Sequence, residues 1–340
     1  MIIDIHNHFL PERFPDLPLG VEAGAWPQMV DAEGDRRTMM IGDKPFRTFD
    51  DLYWNIDRRV ASMDAQHVDV QVVSPLPELL SYWVDAEAGA AICRAVNDAG
   101  SAMAGQAPER LRYLAILPLQ DVDRSLAELS RIAGDSALAG LFVGSHVNGM
   151  SIANARFDPI VAEAERLGLF IFVHGIRPAG GERLEGGPLL NAAIGIPHEN
   201  SCAVASFMMR DVLGRHPALK LVFSHGGGGI GAVIDRLSLI WSEFAQMRTA
   251  LAMPPIDYAR RFQYDTAVFG VDYVRYLVAR FGAQAIVAGT DGPTEIGQKD
   301  LAGFLARAGL EGHELEAVAG GNAAALIGMK KTGRREPAIA

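Results

Sequence analysis

The sequence predicts a single α/β domain over residues 1–340: a distorted (β/α)8 (TIM) barrel with an insertion after its first strand. Three observations lead there. Eight short apolar runs alternate with helix-like stretches, the pattern of parallel strands buried on both faces. The 340 residues exceed the ~250 typical of such barrels but lie within their range once insertions are allowed. No GxGxxG follows the first run, which disfavours the rival doubly wound open sheet.

The expected strands are Ile2–Ile5, Val68–Val73, Tyr113–Leu117, Gly140–Val143, Leu169–Val173, Leu219–Phe223, Phe262–Tyr264 and Ala285–Ala288. Helical patterns fill the gaps. They run over Arg58–Ala65, where Val60 and Met63 share a face, then Ala86–Ala107, Ser125–Ala133, Ile160–Arg166, Asn200–Arg215 and Asp272–Arg280. Pro108, Pro118, Pro159 and Pro217 stand at boundaries, where a missing N–H is tolerated. Leu10–Leu52, rich in Pro, Gly and Asp, reads as an insertion over the barrel mouth. The tail Lys330–Ala340 is basic, then small and apolar, an end that frays or packs.

Composition narrows the function. A hydrophobic share of 49% with 21% charged residues is that of a globular chain. The net charge of -10 argues against a nucleic-acid partner, while local arginines still suit a small carboxylated substrate. Two cysteines make no disulfide framework, and the MIIDIHNHF start lacks a signal-peptide pattern. The expected setting is therefore cytoplasmic. No apolar run reaches the roughly 18 residues of a membrane span.

The chemistry sits at the downstream ends of the strands. His6 and His8 end the first run, His174 the fifth, His225 the sixth and Asp291 the eighth. In a barrel those ends open on the face where active sites form. Residues two apart on a strand point the same way, so His6 and His8 can chelate one ion, with His174 and Asp291 closing the site. Imidazole plus carboxylate suits a divalent metal, with zinc leading and iron, cobalt and manganese compatible. Asp4 shares the parity of His6 and His8 and is either a support for the site or purely structural. Glu199 and Asp265 are candidates to line the mouth, and Gly226–Gly229 reads as close backbone approach beneath the metal rather than a phosphate loop.

The stretches DIHNHFLPE, FRTFDDLYWNIDRRVASMDAQHVDVQVVSP, YLAILPLQD, FIFVHG, LVFSHGGG, YDTAVF, AGTDGP and GGNAAAL resemble the amidohydrolase superfamily. The resemblance is to its 2-amino-3-carboxymuconate-6-semialdehyde decarboxylase (ACMSD) branch. It covers Asp4 to about Leu326. It implies a metal-dependent, non-oxidative decarboxylase of an unsaturated or aromatic acid, with no organic cofactor. His6, His8, His174 and Asp291 match the family's metal ligands. His225 matches its acid–base histidine beside an activated water. Arg47 matches a carboxylate-binding arginine. Arg236 matches an arginine that a neighbouring subunit inserts, which implies a homodimer.

Two departures fall at the rim. GIRPAGG follows His174 and GPTEIG follows Asp291, where the family pattern has bulkier residues. Arg177 becomes a further substrate-binding candidate, and the substrate is expected to be a related acid rather than the ACMSD substrate itself. The same ligands would support a hydrolase or hydratase of a related ring-cleavage product. A non-catalytic metal-binding barrel would leave His225 and Arg47 without a task.

Overall fold

The computed structural model describes residues 1–329 apart from 19, 23, 25 and 188, so the expectation for the tail Lys330–Ala340 lies outside the described residues. In chain order the strands are β1 (Ile3–Phe9), β2 (Pro27–Asp31), β3 (Arg37–Ile41), β4 (Lys44–Phe49), β5 (Val70–Pro75), β6 (Leu111–Ala115) and β7 (Leu138–Gly144). Then follow β8 (His146–Val147), β9 (Met150–Ser151), β10 (Phe170–His174), β11 (Leu221–Phe223), β12 (Gln263–Asp265) and β13 (Ile286–Val287). Eight of them form one parallel sheet in the order β1-β5-β6-β7-β10-β11-β12-β13. These are the eight expected strands. The ends of the sheet meet without a regular ladder: Ile5 N–H donates to Ala288 O at 2.9 Å and His8 N–H to Gly292 O at 2.6 Å. The barrel is thereby closed, and distorted at this seam.

Helices between the strands bury one face each. Ala86–Gln106 turns Ile92, Cys93, Val96, Gly100 and Met103 inward, and Asp85 caps it by accepting from Glu87 and Ala88 N–H, both at 2.9 Å. Asp121 caps Val122–Ile132 in the same way at 3.0 Å. Such a cap is worth about 1 kcal/mol. The helical stretch expected over Asn200–Arg215 is two helices, Ile196–Met209 and Val212–Arg215. The break falls at Asp211, whose φ of 45° is left-handed. Ile230–Glu243 is helical as well, which the apolar spacing did not suggest.

The insertion holds a three-stranded antiparallel sheet, β2-β3-β4. Its β3–β4 hairpin turns at Gly42, φ 61°, where any Cβ would lie 2.7 Å from Gly24 O. The sheet approaches the loop after β13, with Arg47 Nη1 3.9 Å from Glu295 Oε2. Among the described residues, no helix is long and apolar enough to cross a membrane.

Candidate active site

Because the strands are parallel, their C-terminal ends share one face. His6 and His8 rise from β1, His174 is the last residue of β10, and Asp265 is the last of β12. His225 follows β11 and Asp291 follows β13. The donor atoms of His6, His8, His174 and Asp291 lie within 4.8 Å of one another, and all four residues are buried. Beneath them Phe142 and Phe172 stack with centroids 6.0 Å apart, an apolar floor that His6 and His174 touch at 5.0 and 5.6 Å.

Each imidazole is fixed through Nδ1. His6 Nδ1 meets Asp265 Oδ2 at 2.6 Å, His8 Nδ1 meets Pro75 O at 3.2 Å, and His174 Nδ1 meets Gly175 O at 2.7 Å. Acceptors at Nδ1 place the hydrogen there and leave Nε2 as the free donor atom. Two of those Nε2 atoms face one carboxylate oxygen: Asp291 Oδ1 lies 3.3 Å from His6 Nε2 and 3.0 Å from His8 Nε2. Bonds of about 2.0–2.1 Å to one tetrahedral ion would set neighbouring donors roughly 3.4 Å apart. His6 Nε2 is buried and has no hydrogen-bond partner. Three nitrogens, one of them without a hydrogen-bond partner, and one carboxylate fit a divalent metal.

Charge agrees with that use. Burial holds His8 and His174 below the ordinary imidazole value, so both offer lone pairs at neutral pH. Burial opposes charge on His6 too, but the carboxylates of Asp265 and Asp291 push its pKa up to about 10. Burial likewise opposes charge on Asp291, which His6 and His8 nevertheless hold well below the carboxylate range.

His225 stands beside this group, outside it. Its Nδ1 faces Ala267 O at 3.0 Å, which leaves Nε2 free, 3.2 Å from His174 Nε2. His225 and Asp291 both take left-handed backbone angles, φ 51° and 60°. Such positions cost of order 1–3 kcal/mol each. Gly228 lets the loop beyond His225 pass: a Cβ there would come 1.8 Å from Pro197 O. The close approach of the glycine run, expected beneath the metal, is instead against the helix Ile196–Met209.

The arginines differ in placement. Arg47, on β4, lies over the Phe49 ring at 4.8 Å, and its buried Nε has no partner. Burial pushes the Tyr53 hydroxyl up, Arg47 opposes that rise, and Glu295, Asp50 and Asp291 add to it. Arg177 is exposed at the rim, φ 36°, with its guanidinium 3.4 Å from the centre of the Trp83 ring. Arg236 is not brought to this mouth by its own chain; it is exposed on the outer helix Ile230–Glu243. Asp4 accepts from Thr290 and Asn7 and is a structural support. Glu199 accepts from Ala179 N–H and Ser145 Oγ–H, pinning the loop after β10.

The amidohydrolase family pattern matches residues 3–329. The chain belongs to the amidohydrolase family. Within it this amidohydrolase falls in the ACMSD-like branch. It is 30% identical to the 2-amino-3-carboxymuconate-6-semialdehyde decarboxylase of Dictyostelium discoideum over 331 residues, 96% of this chain and 91% of the relative. The solved 5-carboxyvanillate decarboxylase of Sphingomonas paucimobilis is 26% identical with a TM-score of 0.73, covering 80% of this chain and 83% of that one. The IDCase of Metarhizium anisopliae shares the fold, at 21% identity and a TM-score of 0.81, with 96% of both chains covered.

Proposed function

We propose that this amidohydrolase is a metal-dependent, non-oxidative decarboxylase of a small unsaturated or aromatic carboxylic acid, working as a single catalytic domain. The observation that carries the reading is the division of labour among four histidines. Three gather with Asp291 so that one donor atom of each lies within 4.8 Å of the others, while the fourth, His225, stands outside that group with its Nε2 3.2 Å from His174 Nε2. The names of the relatives, decarboxylases of aminocarboxymuconate semialdehyde and 5-carboxyvanillate, support the same class.

His6, His8, His174 and Asp291 would hold the ion, with zinc the first candidate and manganese, iron or cobalt the alternatives. When bound, such an ion supplies Lewis acidity toward a substrate oxygen or a water. Arg47 binds and orients the substrate carboxylate; a guanidinium fork matches two carboxylate oxygens. Arg177, carried on the Trp83 face, binds a second polar group at the rim. The bond to the carboxylate carbon breaks, carbon dioxide leaves, and the carbon left behind takes a proton. His225 holds that proton at Nε2, its Nδ1–H anchored on Ala267 O. The Phe142–Phe172 floor excludes water and strengthens each charged contact.

A homodimer belongs to the same reading. Arg236 is exposed beside exposed Val233, Leu239 and Phe244, so a partner surface laid on this helix would carry Arg236 toward the partner's mouth. A reduced, cytoplasmic setting agrees with Cys93 and Cys202 both being free.

The test is direct. Purified protein is analysed for bound metal, then offered aminocarboxymuconate semialdehyde, 5-carboxyvanillate and related acids, with carbon dioxide and product followed together. Release of carbon dioxide that stops on chelation and returns with metal is expected. Net water uptake without carbon dioxide would replace the reading with hydrolysis or hydration.

A further inference from the structure

The barrel has one weak joint, and three of the four metal ligands stand on it. Seven strand pairs are joined by ladders, but β13 is two residues long and meets β1 only through isolated contacts. His6 and His8 lie on one side of that seam and Asp291 on the other. Asp291 N–H donates to His6 O at 2.8 Å.

Behind the seam runs a chain of buried polar groups. Arg59, on the helix Ile56–Ala65, is 3% exposed. Its Nη2 donates to His8 O at 2.7 Å, and its Nη1 donates to Gln71 Oε1 at 3.1 Å and to Asn7 Oδ1. Asn7 Nδ2 passes the link to Asp4 Oδ2 at 2.9 Å and Thr290 Oγ1 at 3.2 Å, and Gln71 Nε2 reaches the same Asp4 oxygen at 3.4 Å. Asp4 in turn accepts from Thr290 N–H at 3.0 Å and Thr290 Oγ–H at 2.7 Å. Thr290 is the residue before the ligand Asp291. The chain thus starts on an outer helix, grips β1 between its two histidines and ends beside the carboxylate ligand.

A buried guanidinium and a buried carboxylate are costly to desolvate, and well-packed apolar groups would stabilise the barrel as well or better. What the polar chain supplies that apolar packing lacks is fixed direction.

We propose that Arg59 is a positioning residue for the metal centre. Through His8 O and the Asn7–Asp4–Thr290 chain it holds the seam, and with it His6, His8 and Asp291, at ligating distance. It touches neither metal nor substrate.

The experiment uses Arg59→Met and Arg59→Lys in the full chain. Each protein is stripped of metal, and its zinc affinity is measured by competition with a chelator. Arg59→Met weakens zinc binding about 10–100-fold, the range for lost partners of ligands. Arg59→Lys keeps the charge without the fork and weakens it several-fold. In the metal-free Lys variant, amide exchange quickens at His8 and Asp291 while β10 and β11 keep wild-type protection. Wild-type zinc affinity in both variants, with only a lower melting temperature, would make Arg59 a stability group and overturn the proposal. Should Arg59→Met fail to fold, the Lys variant decides by affinity and exchange alone. No substrate enters the measurement. A chain that binds zinc but decarboxylates nothing would overturn the proposed reaction and leave this inference standing.

Discussion

His225 and Asp265 act on the same small space from different positions, and single substitutions separate them. His225 Nδ1 faces Ala267 O, and its Nε2 is the atom proposed for the reaction. Its φ of 51° favours Asn among replacements, since Asn tolerates that region and its amide can still donate to the carbonyl. We expect His225→Asn to keep its metal, by elemental analysis, and to lose about 10²–10⁴-fold in kcat. A variant that lost its metal would make His225 a ligand instead. Asp265 is different: its Oδ2 holds His6 Nδ1 at 2.6 Å and its Oδ1 accepts from Gly226 and Ala267 N–H. Asp265→Asn can offer an N–H where His6 needs an acceptor, which disfavours the ligating tautomer. Metal affinity, read by chelator competition, is expected to fall about 10–100-fold.

At the scale of elements, the sequence was readable where burial is uniform and obscure where it alternates unevenly. Every barrel strand stands out as an apolar run because both faces are covered; β1, β5 and β10 are buried throughout. The candidate ligands were legible for the same reason, as polar residues interrupting apolar strand ends. The insertion sheet escaped notice because β2 and β3 bury little, and Pro, Gly and Asp around them read as turns. Ile230–Glu243 escaped because apolar residues stand on its outer side too, Val233 and Leu239 being exposed beside Asp235 and Arg236, which blurs the 3.6-residue period. Asp265 could be placed at a strand end, but its partner His6 is 259 residues away and only the closed barrel joins them. The insertion sheet matters because β4 delivers Arg47 to the mouth. Arg47→Met keeps the stem against Phe49 and removes the fork. We expect KM to rise roughly 10–100-fold, the worth of a charged hydrogen bond, with a smaller change in kcat. An unchanged KM would move carboxylate recognition elsewhere, with Arg177 the next residue to test.

For the whole molecule, a bound ion is a tie between distant parts of the chain, joining β1, β10 and the loop after β13. Binding to the folded state alone stabilises it by about 2.7 kcal/mol at a hundred times Kd. Protons compete for that site, and the charges say how many. His8 and His174 are held neutral by burial, while His6 is raised to about 10 by Asp265 and Asp291 against its own burial. Between pH 6.5 and 9 the metal-free site therefore carries one proton that the loaded site cannot. Affinity should climb about tenfold per pH unit, a slope of one rather than three. The metal-free protein moves the other way. A histidine whose folded pKa is raised contributes stability fully below its unfolded value of 6.5 and loses it as pH rises toward 10. The Asp291 shift lies at acid pH and adds nothing in this window. The two statements describe one proton, so the gap between loaded and stripped protein widens on the alkaline side by the gain in affinity alone. At fixed free metal, a tenfold gain in affinity is about 1.4 kcal/mol, or roughly 2 °C of melting temperature for a chain of 340 residues. Calorimetric scans of both forms from pH 6.5 to 8.5 should show the gap growing by about that much per unit. A constant gap would mean that His6 carries no proton when the site is free, and that Asp265 and Asp291 do not raise it.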